Sequence, residues 1–542
     1  MQKHKYLSDL LSDIYPDSYG NIFNVASEIL NGKDIKERSN GWYKAMNLYV
    51  TYPDTFELKG KRDLFALSKR IGYIKKLGCN ALHILPFLDS PMIDGRFDIK
   101  DYLNVEESLG GIEGINAVMS ECKKQGINIF MDLVMNHVSD QHEWFQKALD
   151  GDEKYRKYFI HMDQKPVLVR TYEDDLGHWA EYDFNGYIQA IRIIFPQFVK
   201  ELPHWIQGKD GYWYYHTFYP YQPDLDWNNS DVFVEFIKII KFWAEKGMSF
   251  RLDAITFMGK DVFNGVIESN PKLHKIIKAL NYIVKQINPN SVFLAETCQP
   301  VHLVKKYFGD NNIESELIYN FKMTQSIWYS YLSGNPSNIA ETLEENFMDI
   351  PDHASWINFL RNHDELSLEF AEEHIRQYIY SNLIKYGLDF REGFGVTGRT
   401  LSLVKGKFKD LVFLYKVLAS LPGTMAIIYG DELGKKNDFK FMKKQVVHKE
   451  KVLKLEHFSE DTRDISRGTI TSKDLIGYNF RITNFLMSKI FKNRLKYIEY
   501  FKKPPTSFMV NQSTLTLEYN NGGKILLIEI DFKKKQCDWK LK

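Results

Sequence analysis

The sequence predicts an α/β fold: a closed (β/α)8 TIM barrel, with an inserted domain B after its third strand and a short C-terminal β domain. Three observations predict it. Short apolar, strand-like runs alternate with segments of helical spacing from about residue 46 to residue 435, as βα repeats require. Eight such strand runs can be counted, which suits a closed barrel better than an open sheet. Four of the runs end on acids or imidazoles, in the stretches Asp132-Leu-Val-Met-Asn136-His137, Phe250-Arg251-Leu252-Asp253-Ala254, Phe293-Leu-Ala-Glu296 and Phe359-Leu-Arg-Asn362-His363-Asp364. A polar residue just past a buried barrel strand stands at the barrel mouth, where sites are built.

The elements follow in order. Residues 1–45 read as a helical N-terminal extension, with helices over Tyr6–Ile14 and Ile22–Leu30 stopped at Asn31-Gly32. Leu48–Thr51 is the first strand run; Asp63–Leu77 has helical spacing and ends at Gly78. Asn80–Pro86 and Ile127–Met135 are the second and third strands, with a helix over Ile112–Lys124 stopped by Gly126. Met248–Asp253, Val292–Glu296, Leu317–Phe321, Trp356–Arg361 and Met425–Tyr429 supply the other five strands. Val232–Lys246, Lys272–Gln286 and Phe408–Leu421 are among the helices between them. The barrel is therefore assigned to 46–137 and 223–500. Residues 138–222 are far too many for a βα loop, and become an inserted domain able to wall the barrel mouth. Its aromatic stretch Tyr212-Trp-Tyr-Tyr215 is either a sugar platform or that domain's core. In 501–542 the runs Ser513–Tyr519 and Lys524–Ile530, joined by Asn520-Asn-Gly-Gly, read as a β hairpin.

Composition narrows the function. The 542 residues carry 71 Lys and Arg against 70 Asp and Glu, so the net charge of +1 offers no footprint for nucleic acid. The longest apolar run, Leu411–Gly430, is broken by Lys416, Pro422 and glycines and reads as helix, turn and strand rather than a membrane span. The four cysteines form no Cys-x-x-Cys pair and read as free thiols of a reducing compartment. No apolar segment follows the basic N-terminal residues, so a cytoplasmic location is expected.

At these motifs the chain resembles glycoside hydrolase family 13, the α-amylase family. Asp132, Asn136 and His137 resemble its third-strand motif, Arg251 and Asp253 its fourth, Glu296 its fifth, and His363-Asp364 its seventh. Gln222-Pro-Asp-Leu-Asp226 is similar to the motif closing domain B, and Asp94-Gly-Arg-Phe97-Asp98 to the loop after the second strand. Phe359-Leu-Arg-Asn-His-Asp-Glu-Leu and Ile350-Pro-Asp-His-Ala-Ser-Trp look most like trehalose synthases and amylosucrases, and Arg192-Ile-Ile-Phe-Pro-Gln197-Phe198 looks amylosucrase-like. Phe97 stands where the family pattern has tyrosine, and Ser249 where it has glycine.

The resemblance implies an α-glucoside enzyme with catalytic residues Asp253, Glu296 and Asp364. Cleavage with retention needs a nucleophilic carboxylate and a second carboxyl that protonates the leaving oxygen. Asp253 is expected as the nucleophile; Arg251, two residues earlier on the same strand, faces the same way and favours its ionised form. Glu296 is expected as the acid/base, with a pKa above that of a free glutamate. His137, His363 and Asp364 would bind sugar hydroxyls, and Phe97 would stack on the ring. Asp94 is expected to pair with Arg467 and close the far end of the pocket. Asn136 is either a ligand of a structural calcium ion or a hydrogen-bonding brace of its loop; no other cofactor is implied. The expected partner is a small α-glucoside or short α-glucan, without nucleic acid or membrane. The expected reaction is hydrolysis of, or glucosyl transfer from, sucrose, maltose or maltooligosaccharides. Its rivals are isomerisation of the trehalose synthase type, endo-acting amylase action, and a catalytically silent binding subunit.

Overall fold

The computed structural model describes residues 4–31, 41–174, 177–196, 202–310, 313–453, 461–475 and 478–542. Gly32, and the Gln197-Phe198 end of the insert's motif, lie outside them. Eight parallel strands close a barrel in chain order: β1 (Asn47–Thr51), β2 (Ala81–Ile84), β3 (Asn128–Val134), β4 (Ser249–Asp253), β5 (Phe293–Ala295), β6 (Leu317–Tyr319), β7 (Ser355–Asn358) and β8 (Thr424–Ile428). The ring shuts where β1 pairs with β8, Asn47 opposite Met425. Their residues are buried almost throughout, because both faces of a parallel barrel are covered, which is why each strand reads as a continuous apolar run.

The helices between the strands follow the predicted spacing. Gly111–Gln125, Ser230–Glu245, Pro271–Ile287 and Phe408–Ala419 each bury one apolar face against the barrel. Pro271 opens its helix where the missing N–H costs nothing, and the preceding Asn270 caps it. One expectation is corrected: the segment Asp63–Leu77 is two helices, Leu64–Ser68 and Ile71–Leu77. The Ser68 hydroxyl bonds the Phe65 carbonyl at 2.8 Å, a local bond that competes with the helix ladder. The N-terminal helices span Lys5–Ile14 and Tyr19–Leu30; the first packs on the helix Pro271–Ile287, and Tyr15 donates to the Trp227 carbonyl at 2.9 Å.

The insert leaves and returns through one stem. Val138 N–H donates to Pro223 O at 3.2 Å, and Leu225 N–H to Asn136 O at 2.9 Å. Within it, Trp213–Tyr215 lies between Trp205–Gln207 and His161–Met162, and Trp213, Tyr214 and Tyr215 are buried. This stretch is core, not a sugar platform. A second antiparallel ladder, Val167–Asp174, Gly177–Phe184 and Tyr187–Ile193, was not foreseen; its last strand carries Arg192 to the barrel mouth. At the C-terminus the expected hairpin is the centre of a four-stranded antiparallel sheet, Ser507–Asn511, Thr514–Asn521, Lys524–Asp531 and Gln536–Leu541. Gly522 and Gly523 turn the hairpin at φ of 60° and 83°, the positive values such a two-residue turn demands.

Candidate active site

The loops at the C-terminal ends of the strands, with the insert, surround one pocket. It is lined by Asp253 and Glu296, by His363 and Asp364, by Asp94 and Phe97, by His137, and by Phe195 and Phe218 of the insert. At its base lies Arg251, projecting from β4 and 1% exposed. Its Nη1 is 2.6 Å from Asp132 and 2.5 Å from Asp253, and its Nη2 pairs with Glu296. Asp253 and Glu296 therefore sit on the two arms of one guanidinium and can be no further apart than its span plus two hydrogen bonds. Ala254 N–H also donates to Glu296 Oε2 at 3.2 Å. Ala254 is strained at φ 44°, so the chain turns sharply straight after Asp253. Asp132 is held from the far side by His83 Nε2 at 2.9 Å.

Burial pushes the Asp253 carboxyl well above the usual range; Arg251 opposes this, and Glu296, Asp132 and Asp364 add to it. Asp132, Asp253 and Glu296 share this one cation, and crowding of three carboxylates around it favours a retained proton. Asp364 goes the other way. Burial would raise it, but His363 at 3.0 Å and Arg463 and Arg467, each at 3.1 Å, outweigh that and hold it far below the carboxylate range. His363 stacks on Phe97, centroids 4.9 Å apart and planes 13° apart. Burial lowers His137 to about 4, so it stands neutral, with its Nε2 unpartnered among the described residues.

One expectation is corrected. Asp94 does not pair with Arg467. Its partner is Arg463, Nη2 to Oδ1 at 3.0 Å, and Gln222 donates to its other oxygen at 3.1 Å. Arg463 also grips Asp461 with two bonds of 2.9 Å and lies between the rings of Phe195 and Phe390, 5.2 and 4.9 Å from their centroids. Arg467 instead joins Asp364 to Asp464, whose oxygen is 3.2 Å from Nη1. For Asn136 two roles were open, calcium ligand and brace. Its Oδ1 accepts from Lys260 Nζ at 2.6 Å, and the same ammonium pairs with Asp224. These oxygens are already spent on a buried cation of the chain itself, and among the described residues no group of acids and imidazoles is fit to hold a metal. Asn136 makes the hydrogen bonds expected of a brace.

Sequence reasoning missed a second set of charges on the opposite wall. Arg192 of the insert pairs with Glu268 at 2.6 Å and with Glu369, and Glu369 with Arg391 at 2.7 Å. Four segments meet there, and no local spacing signals such a chain. Glu365 also lines the pocket, its carboxyl pushed up to about 7 by burial and by the charge of Asp364.

Residues 14–378 match the α-amylase catalytic-domain family. The chain is 31% identical over 404 residues to the trehalose synthase/amylase of Mycolicibacterium smegmatis, covering 72% of this chain and 64% of that protein. It is 30% identical over 301 residues to a glucan 1,6-α-glucosidase of Streptococcus pneumoniae, covering 54% and 50% of the two chains. In fold it resembles a sucrose 6F-phosphate phosphorylase from Thermoanaerobacter thermosaccharolyticum, at a TM-score of 0.71, 19% identity, and coverage of 92% and 96%. The chain belongs to the α-amylase family, and its relatives include the trehalose synthases.

Proposed function

We propose that the protein is a retaining α-glucoside hydrolase or transglucosidase acting on short substrates such as sucrose, maltose and maltooligosaccharides. The observation that carries this reading is the placing of Asp253 and Glu296 on the two arms of Arg251. A retaining pair needs its carboxyls roughly 5 to 5.5 Å apart. Asp253 Oδ attacks the anomeric carbon as the bond to the leaving oxygen breaks, and Glu296 gives that oxygen its proton. The resulting glucosyl ester is then attacked by water or a sugar hydroxyl, whose proton Glu296 takes back. Asp364, locked in its ionised form, His363 and neutral His137 bind the hydroxyls of the reacting ring. Residues 138–222 act as a domain that walls the pocket through Arg192, Phe195 and Phe218.

The Asp94–Arg463 pair supports a blind end that admits one terminal glucosyl unit. A long chain threading through is disfavoured, and with it endo-acting amylase action. Isomerisation of the trehalose synthase type is the second reading. The chain Glu268–Arg192–Glu369–Arg391 favours it, because ion pairs across the acceptor side would keep a released sugar from leaving. A silent binding subunit has no need of three carboxylates around one guanidinium. Four cysteines free of disulfides support a reducing, cytoplasmic setting, and no described helix is long and apolar enough to cross a membrane. Separate incubation with sucrose, maltose, trehalose and soluble starch, with chromatography of the products, tests the proposal. Glucose or transfer products from disaccharides are expected. Interconversion of maltose and trehalose selects the second reading, and rapid release of long oligosaccharides from starch rejects both.

A further inference from the structure

Behind the catalytic pocket, between the loops after β1 and β2 and the helix Phe439–Leu453, lies a second cavity of ≈ 700 Å³. Its lining holds six cationic side chains, those of Arg62, Arg96, Lys440, Lys444, Lys449 and Arg467, against three carboxylates, those of Asp54, Asp438 and Asp464. Arg96, Lys449 and Arg467 are spent on ion pairs. Arg62, Lys440 and Lys444 have no carboxylate partner among the described residues. Lys440 and Lys444 stand one turn apart on the same helix face. Tyr52 and Thr55, 7% and 1% exposed, also form part of the wall.

We propose that this cavity binds the phosphoryl group of a small molecule, and that Arg467 couples it to the catalytic pocket. A phosphate presents several acceptor oxygens and up to two negative charges, matching a lining in which six cations face three carboxylates. A neutral sugar would leave the cations unanswered. The coupling is geometric. Arg467 Nη2 is 3.1 Å from Asp364 in the catalytic pocket, while its other arm faces the cavity beside Gly95. A Cβ on Gly95 would stand 3.1 Å from both Arg467 Nη1 and Tyr52 Oη, so these two groups and Gly95 form the partition between the sites. A phosphate there competes with Asp364 for Arg467, and by linkage phosphate and substrate weaken each other's binding equally.

Isothermal calorimetry on the full chain at low ionic strength, with inorganic phosphate and with glucose 6-phosphate, tests the site. Lys444→Gln and Arg62→Gln serve as variants, because both side chains are exposed and lie outside the catalytic machinery. The expected result is a Kd of about 1 mM or tighter, weakened at least tenfold in each variant. Equal affinity for the two probes supports the site with free phosphate as its ligand; tighter binding of glucose 6-phosphate supports a sugar phosphate. No binding, or binding untouched by both substitutions, overturns the proposal. Because the coupling rests on the catalytic reading, it has its own readout. Phosphate should raise KM for the disaccharide in the native protein and not in Lys444→Gln; an unchanged native KM removes the coupling and leaves the site standing on the calorimetry.

Discussion

Arg463 Nη2 lies 3.0 Å from the Asp94 carboxylate, and Nη1 of the same guanidinium lies 3.1 Å from Asp364. One side chain thus closes the far end of the pocket and sets the charge of a residue that faces the reacting sugar. Asp94→Asn should keep the shape and lose the pair. Disaccharide kcat/KM should fall at least about tenfold, the scale of an ion pair lost from a buried site, while the ratio of starch to maltose activity rises. A falling ratio would reject the blind-end argument. Arg463→Ala should be far harsher, unfolding about 3–5 kcal/mol more easily, because Asp94 loses its cation and Asp461 and Asp364 each lose one of theirs.

Asp253→Asn removes the attacking charge with little change of shape. Activity should drop by about four to six orders of magnitude, as when a member of a catalytic unit is lost. Thermal stability should hold or rise slightly, since a buried carboxylate crowded by three others is relieved. Activity above a few per cent of native would take Asp253 out of the mechanism.

Glu296→Gln cannot donate a proton. Hydrolysis of maltose should collapse, while a glucosyl fluoride, whose leaving group needs no acid, should still form the glucosyl-enzyme at near-native rate. Burst kinetics with the fluoride reads this out, and equal losses on both substrates would falsify the assignment.

Lys260 holds Asn136 and Asp224 together at the stem of the insert. Lys260→Ala should therefore destabilise the protein by about 3–5 kcal/mol by leaving Asp224 buried and unpaired. An excess of chelator should leave the melting temperature of the native protein unchanged. A chelator-induced fall would reinstate a structural cation.

Burial holds His137, His142 and His204 at about 4, so folded imidazoles stay neutral where unfolded ones would charge. Between pH 6.5 and 4 the unfolded chain binds the extra protons, and stability is lost as pH falls through that window. Asp98, Glu365 and Glu432, raised to about 7, act with the opposite sign over much of the same range. Removing one histidine isolates its share. His142 Nδ1 accepts from Trp144 N–H at the start of a helix, a duty asparagine can take over. In His142→Asn the loss of stability from pH 6.5 to 4 should be smaller by up to about 3 kcal/mol. Parallel melting curves for the two proteins would show that His142 is not a source of that loss.

The barrel was legible because every strand is a buried run followed by its own turn signal, and the acids stand at the run ends. Asp253, Glu296, His363 and Asp364 were all found that way and share one pocket. Arg463 was not, although it sits four residues from Arg467. Both flank or lie in the short 3-10 turn Thr462–Ser466, whose tight winding turns both inward, and no periodicity separates them. Lys260 and the Arg192 chain were invisible for a related reason. Their partners lie 22 to 177 residues away, and a pair made by folding leaves no local spacing to read.

The pairing of Asn47 with Met425 has a consequence for synthesis. The last seam of the ring joins β1 to β8, a strand that leaves the ribosome only after the six others. Until then β1 carries a row of unanswered amides and carbonyls along one side. Contacts of such sequence separation form slowly, so the nascent protein passes through an open, sticky sheet before the ring closes. Arg494, bonded to the carbonyls of Ala419, Leu421 and Gly423 just ahead of β8, arrives later still. A chain cut short between β8 and Arg494 would keep the seam but shed this latch, and should go to inclusion bodies or to proteases rather than to a smaller working barrel.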